Sequence, residues 1–208
     1  MTLLKKARYE FIIKEAKNLF LERGIDAVTM TDLATHLSIG EASLYRYFGK
    51  KQTLMIEAGI MIWEEVYEVL EKMPLKETGY ENVQSFYEFF LEYFQKKPEF
   101  FRLANEFDLK IVQTGISNEE LKDYEQTILK FKSVFDKFFE MGRLDNTIKE
   151  GIDSDIFYYT TNHALISLCK KLATQSHILA YESQMEETTQ IECFIQICLY
   201  YIHSGKFL

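Results

Sequence analysis

The residues best suited to recognition chemistry are concentrated between Thr29 and Leu54, TMTDLATHLSIGEASLYRYFGKKQTL. Thr29-Met30-Thr31-Asp32 has the spacing of a capping box, in which a hydroxyl and an acid three residues on satisfy each other's backbone N–H groups. It predicts a short helix through Leu37, a three-residue turn at Leu37-Ser38-Ile39, and a second short helix from Gly40 to Phe48. Two short helices joined by such a turn form a helix-turn-helix, whose second helix enters the DNA major groove. That second helix turns Glu41, Ala42, Ser43, Tyr45, Arg46 and Tyr47 outward, and Lys50 and Lys51 follow it. Small side chains at its amino end permit close approach to base edges. Tyrosine hydroxyls and lysine ammoniums at its carboxyl end are typical phosphate partners, which set register rather than sequence. Glu41 has two readings: an acceptor for a cytosine amino group, or an acid favoured at a helix start by the dipole.

Other chemistries find little footing. His36, His163, His177 and His203 have no ligand-type partner at helical spacing, and Cys193 and Cys198 are five apart with Cys169 elsewhere, so no metal site is expected. Asp153 and Asp155 read as a helix start rather than a paired acid and base. There is no glycine-rich phosphate loop and no nucleophile elbow. The expectation is a protein with no catalytic residues, no metal and no cofactor, and not an enzyme.

Such a motif needs a scaffold, and the scaffold reads as helical throughout. With 47% apolar and 27% charged residues in 208, the chain can bury a core and is not disordered. With 9 Gly and 2 Pro, long helical stretches run uninterrupted. Leu4 to Arg23 carries Phe11, Ile12, Ala16, Leu19 and Phe20 on one predicted stripe, with Gly24 as a left-handed stop. Further helices are predicted at Lys50 to about Met73, Tyr80–Lys96, Pro98–Thr114, Asn118–Met141 ending at Gly142, Asp153 or Ser154 to about Gln175, and Gln184–Ser204. No stretch alternates with the period of a strand, which gives an all-α chain of about nine helices. The three Cys form no disulfide framework, and no stretch suits a signal peptide or a membrane span, so a cytoplasmic location without membrane contact is expected.

The net charge of −8 conceals an asymmetry: residues 1–54 hold 9 Lys and Arg against 6 Asp and Glu, whereas the remainder is strongly acidic. A basic head on an acidic body fits phosphate contact through the head alone. Within that head Leu33, Leu37, Ile39, Leu44 and Phe48 would form a small core with Phe20 and Phe11, and Ala34 suits a close helix crossing. The helices around Ile156–Cys169 and Cys193–Ile202 are uncharged nearly all round, so each must bury a second face. Either each is central to its own bundle, or the pair forms a four-helix homodimer interface. The dimer reading places Phe157, Thr161, Ala164, Leu165, Leu168, Phe194, Ile197 and Tyr201 in that interface.

Residues of about 8–54 resemble the amino-terminal domain of the TetR family of bacterial transcriptional regulators. The matching positions are Ile12, Ala16, Phe20 and Gly24 in the first helix, then Thr29, Asp32, Leu33 and Ala34. Leu44, Tyr45, Tyr47 and Phe48 match the recognition-helix signature, and Lys51, Gln52 and Leu54 the segment after it. The sequence departs from the family at the turn, where Ser38 and Gly40 stand in swapped order, and at Glu41, where a cation is common.

The resemblance implies residues 1–54 as the helix-turn-helix domain and 55–208 as the ligand-binding and dimerisation domain. It implies Thr29, Tyr45, Tyr47 and Lys51 on phosphates and Thr31, Ala42 and Ser43 facing bases of a double-stranded, palindromic operator. It further implies a repressor released by a small-molecule effector, with Leu54–Met73 as the lever. The rings of residues 80–139 would suit an apolar or aromatic effector: Phe86, Phe90, Tyr93, Phe94, Phe101, Phe107, Phe131 and Phe135. Glu88, Asn105, Glu106 or Asp108, if turned inward, would favour a cationic aromatic ligand. Two rivals remain: a DNA-attachment protein of this fold without an effector, and a helical bundle in which the motif is fortuitous.

Overall fold

The computed structural model describes residues 2–175 and 184–205; His177 lies outside them. Among the described residues the chain folds as α1 (Leu3–Arg23), α2 (Met30–His36), α3 (Glu41–Phe48), α4 (Lys51–Glu71), α5 (Gly79–Lys96), α6 (Pro98–Thr114), α7 (Lys122–Leu144), α8 (Ser154–Gln175) and α9 (Glu187–Ile202). The single β-type pairing among them is the Ile148–His203 bridge. No described helix is long and apolar enough to cross a membrane.

The helices form two compact units, residues 1–67 with 103–128 and residues 68–102 with 129–208. The unit holding the helix-turn-helix is therefore larger than residues 1–54: it includes most of α4, the latter part of α6 and the start of α7. In this first unit α1 buries Ile12, Ile13, Ala16, Leu19 and Phe20. Phe11 does not join that stripe, correcting the sequence expectation; it is 54% exposed. At 100° per residue it falls far around the helix from Ala16, and Ile13 occupies the inward position. Further along, Trp63 Nε1 donates to the Tyr124 hydroxyl at 2.9 Å, and Phe107 stacks on the Tyr124 ring at 4.8 Å.

In the second unit α9 packs on α5 and α8 around Val83, Phe86, Tyr87, Phe90, Leu165, Ile195 and Leu199. The buried Tyr87 hydroxyl is partnered by Thr161 Oγ1 at 2.6 Å, which avoids the cost of an orphaned polar group inside an aromatic core. The first turn of α5 has every N–H satisfied. Gly79 N donates to Asp145 Oδ2 at 2.7 Å and Tyr80 N to Thr147 Oγ1 at 3.1 Å. Glu81 N donates to the Thr78 hydroxyl at 3.2 Å, and Asn82 N to the Thr78 carbonyl at 3.1 Å. Buried Asn82 in turn pins the preceding loop through the Lys76 N–H and carbonyl.

α7 differs from the sequence expectation at both ends, and α9 is shorter than expected, Glu187–Ile202. α7 begins at Lys122 rather than Asn118, because Ser117 and Glu120 close a separate reciprocal turn before it. It also runs through Gly142 to Leu144. Gly142 lies inside the helix because two neighbours crowd it: a Cβ there would fall 2.4 Å from Ile148, and one on Gly79 would fall 1.8 Å from the Gly142 nitrogen. The left-handed residue after α7 is Asn146, φ 62°.

Gly79→Ala is accordingly expected to cost about 3 kcal/mol, since no flexible side chain can yield to the new methyl. Chemical denaturation of the variant against the parent checks this.

Candidate functional site

The helix-turn-helix is built by interlocking local devices. The capping box at the start of α2 is complete: the Thr29 hydroxyl accepts from Asp32 N at 3.0 Å, and Asp32 Oδ2 accepts from Thr29 N at 2.8 Å. The Thr29 hydroxyl also donates to Asp32 Oδ2 at 2.6 Å, and this bond, more than the one from Thr29 N, holds the Asp32 carboxyl below its usual range. The box therefore keeps its charge at neutral pH and weakens only as pH falls through that depressed value. Leu33, Ala34, Leu44 and Phe48 are buried beneath the motif, with Leu37 and Ile39 half-buried at its edge. A second tie, His36 Nε2 to Glu15 Oε2 at 2.9 Å, joins α2 to α1.

The turn shows what the swapped residues do. Ser38 adopts φ 52°, the left-handed conformation that glycine takes without penalty. Gly40 sits at φ −68° as the N-cap of α3 and offers no side-chain bond. Each residue thus occupies the position that suits the other.

Facing outward from α3 are Glu41, Ala42, Tyr45 and Arg46, all exposed, with Ser43 half-buried. Thr31 Oγ1 donates to Glu41 Oε2 at 3.1 Å, so the two prospective base-facing residues of α2 and α3 are joined. Tyr47 is half-buried, its ring 6.4 Å from Tyr9 of α1, while Tyr9 stacks on Phe48 at 4.9 Å. Burial and a hydrogen bond to Glu57 push the Tyr9 hydroxyl well above its ordinary pKa. The two lysines after α3 are both engaged. Lys50 Nζ pairs with Glu120 Oε1 at 2.5 Å. Lys51, half-buried with its pKa lowered by desolvation, donates to the Ile25 carbonyl.

Ile25 belongs to the turn between α1 and α2, which is gripped from several sides. Its N–H donates to Glu106 Oε2 of α6 at 2.7 Å. Gly24 has φ 83° and ψ 158°, a region essentially reserved for glycine rather than the left-handed stop expected. A Cβ on it would press to 2.9 Å from the Glu106 carboxylate. Lys110 of α6 holds Asp26 at 2.6 Å, and buried Lys17 of α1 pairs with Glu65 of α4. Sequence reasoning misses these roles of Glu57, Glu106, Lys110 and Glu120, because their partners lie tens of residues away and their own helices show only ordinary surface charges.

The aromatic set lies as follows. Phe86 packs edge-on with Phe90 and Phe135 at 5.5 Å each, Phe90 tilts on Phe131 at 6.1 Å, and Phe94 on Phe101 at 5.7 Å. Phe107 belongs to the first unit, against Tyr124. Tyr93 lines an open groove of about 530 Å³ with Glu88, Phe89, Glu92, Val69 and Met73, edged by Lys76, Lys96 and Lys97. Glu106 is committed to the turn at Ile25, and Asp108 is exposed.

Along α8 and α9, Ala164, Ile197 and Tyr201 are exposed, Leu168 and Phe194 half-buried, and Phe157, Thr161 and Leu165 buried within their own unit. The outer face is completed by Ile156 and Tyr200, 68% and 83% exposed. A groove of about 510 Å³ between the two helices is lined by Ile156, Phe157, Ala164, Phe194, Ile197 and Tyr201. Cys193 is exposed, and burial pushes the free thiols of Cys169 and Cys198 up to about 12 and about 11. Among the described residues no three of His, Cys, Asp and Glu come together as a metal site.

The paired substitution Ser38→Gly with Gly40→Ser is expected to stabilise the chain by about 1 kcal/mol, relieving a left-handed serine and supplying a missing cap. Nothing lies within 4 Å of a Cβ built on Gly40. A raised midpoint in thermal unfolding is the expected reading.

Comparison with known proteins converges on the same motif. Residues 12–58 match the profile of bacterial regulatory proteins, tetR family. Over 165 residues the chain is 21% identical to an HTH-type transcriptional regulator of Staphylococcus aureus (strain USA300), covering 74% of this chain and 82% of that one. The fold is shared with the TetR family transcriptional regulator PfmR from Thermus thermophilus, at TM-score 0.61 and 20% identity over 91% of this chain and 97% of the other. It is shared too with a protein from Saccharomonospora viridis assigned as a transcriptional regulator and solved in complex with choline. There the TM-score is 0.68 and the identity 16%, over 95% and 98% of the two chains. Residues 12–58 therefore carry the profile of bacterial regulatory proteins, tetR family, within a chain whose fold is that of these solved structures.

Proposed function

We propose that this protein is a transcriptional regulator of the tetR family that binds a palindromic operator as a homodimer, represses transcription there, and is released by a small effector. The observation that carries the DNA reading is the outer face of α3, where Tyr45 and Arg46 stand exposed beside small Ala42 and Ser43 on a rigid, capped motif. Tyr45 and Lys50 contact phosphates; Thr31, Ala42 and Ser43 face bases, with Glu41 held among them by Thr31. Lys51 acts by fixing the turn at Ile25 and reaches phosphate only by leaving that carbonyl.

Dimerisation is supported by the apolar outer face of α8 and α9, since residues such as Ile156, Ile197 and Tyr200 gain by removal from water. A two-fold pairing presents two α3 helices to successive major grooves, roughly 34–36 Å apart. Release requires an effector that binds one head spacing better than the other. Residues 54–73 serve as the lever, and Glu106 and Lys110 carry any displacement of α6 to the turn that bears α2 and α3. The effector is an apolar or aromatic molecule. The groove at Tyr93 and Phe89 also holds Glu88 beside ring faces, a carboxylate that suits an ammonium group, while Glu92 is already paired with Lys96 at 3.0 Å. Choline, held by the Saccharomonospora viridis protein of this fold, is a first probe of a cationic alternative.

A second reading, DNA attachment without an effector, is favoured by one observation: Phe86, Phe90, Phe131 and Phe135 pack on one another. It predicts operator affinity unchanged by any small molecule.

Tyr45→Phe is expected to weaken duplex binding about ten-fold while leaving the unfolding midpoint unchanged, since it removes one hydroxyl bond and no packing. Fluorescence anisotropy with a labelled duplex reads this, and unaltered affinity removes Tyr45 from the contact set. Ile197→Glu is expected to convert a dimer to a monomer in sedimentation analysis, because it sets a carboxylate in the apolar face. A parent that is itself monomeric contradicts the dimer.

A further inference from the structure

Lys50 and Glu120 are 70 residues apart in sequence, yet their side chains meet at 2.5 Å. The glutamate is held for that contact. Its Oε2 accepts from the Ser117 backbone N–H at 3.1 Å and from the Ser117 hydroxyl at 3.0 Å, while the same hydroxyl accepts from Glu120 N at 3.4 Å. This reciprocal box fixes the carboxylate plane and leaves Oε1 presented to the ammonium. The hydrogen bond from Lys50, followed by those from Ser117, holds the Glu120 carboxyl down to about 2. Both side chains remain open to solvent, 51% and 38% exposed, so neither is trapped and the pair can open at little cost.

The position of this pair gives it consequence. Lys50 lies directly after α3, among the residues that face a duplex, whereas Glu120 belongs to the connection between α6 and α7. We propose that Glu120 is an internal substitute for a DNA phosphate: it competes with the duplex for Lys50 and sets the affinity of the regulator below what its cations alone would give. This inference rests on the DNA-binding reading above. The two anions, carboxylate and phosphate, seek the same ammonium, and each repels the other. Linkage makes the competition reciprocal: DNA occupancy weakens the hold on residues 115–121, and anything that tightens that hold weakens DNA binding by the same factor.

The sign of one substitution decides the matter. A contact that merely braces the head would, when lost, loosen it and lower affinity; a competitor, when lost, raises affinity. The test measures binding of the full chain to a labelled duplex at about 50 mM and about 300 mM salt. It uses the parent, Glu120→Gln, Lys50→Gln and the double variant, with unfolding midpoints recorded for each. Glu120→Gln is expected to bind about two- to five-fold tighter at low salt, with the gain shrinking at high salt. In the Lys50→Gln background that gain is expected to fall close to nil. Equal or weaker binding by Glu120→Gln overturns the inference, as does a gain that persists undiminished without Lys50. A parent that fails to bind any duplex overturns the DNA-binding reading together with this one; a parent that binds while Glu120→Gln gives no gain overturns only the competition.

Discussion

Ile25 gives both of its backbone polar groups to side chains from distant helices, its N–H to Glu106 of α6 and its carbonyl to Lys51 of α4. The position of the helix-turn-helix depends on this arrangement. α2 starts five residues later, α3 is fixed to α2 by their shared core, and so the clasp at residue 25 orients the face that carries Tyr45 and Arg46. Gly24 makes the clasp possible, because only a residue without a side chain can hold φ 83° and ψ 158° against the Glu106 carboxylate. A backbone N–H bound to a charged acceptor is among the stronger hydrogen bonds available to a protein. It also makes α6 a direct mechanical neighbour of the recognition motif within one compact unit.

Much of this is legible in the sequence where the governing interactions are local. The capping box at Thr29 and Asp32, the burial of Leu33, Ala34, Leu44 and Phe48, and the helical character of nearly the whole described chain follow from spacings of three and four residues. The clasp is not legible, since Glu106 and Lys110 carry no local mark separating them from solvated surface charges. Lys51 has a second role that its position does not announce. Its place after the recognition helix predicts a phosphate contact, but desolvation and a nearby carbonyl give it an internal partner first. Phe11 shows the limit of hydrophobicity as a guide: helix phase, not ring size, decides burial.

In the second unit the difficulty is different in kind. A dense run of phenylalanines announces a core and equally allows a cavity, because both need the same residue types. Packing distinguishes them, and packing depends on partners such as Phe135 and Tyr158 that only the fold brings beside Phe86. The uncharged helices near the carboxyl end divide along the same principle. Phe157, Thr161 and Leu165 supply the inward face and Ile156, Ala164 and Ile197 the outward one. On the dimer reading such a helix has two faces to bury, and composition does not assign a residue to either. The first turn of α5 belongs here as well: Thr78 and Glu81 have the local spacing of a box, whereas Asp145 and Thr147, which complete it, arrive from beyond the end of α7.

The central claim is that α3, presented twice by a dimer, reads a duplex. Selection of the purified chain on randomised duplex DNA, followed by sequencing of the retained fraction, tests this most directly. Enrichment of a palindrome whose half-sites lie about one helical turn or somewhat more apart is the predicted result. Retention without any enriched sequence, or no retention even after unfolding and refolding has removed bound small molecules, would contradict it.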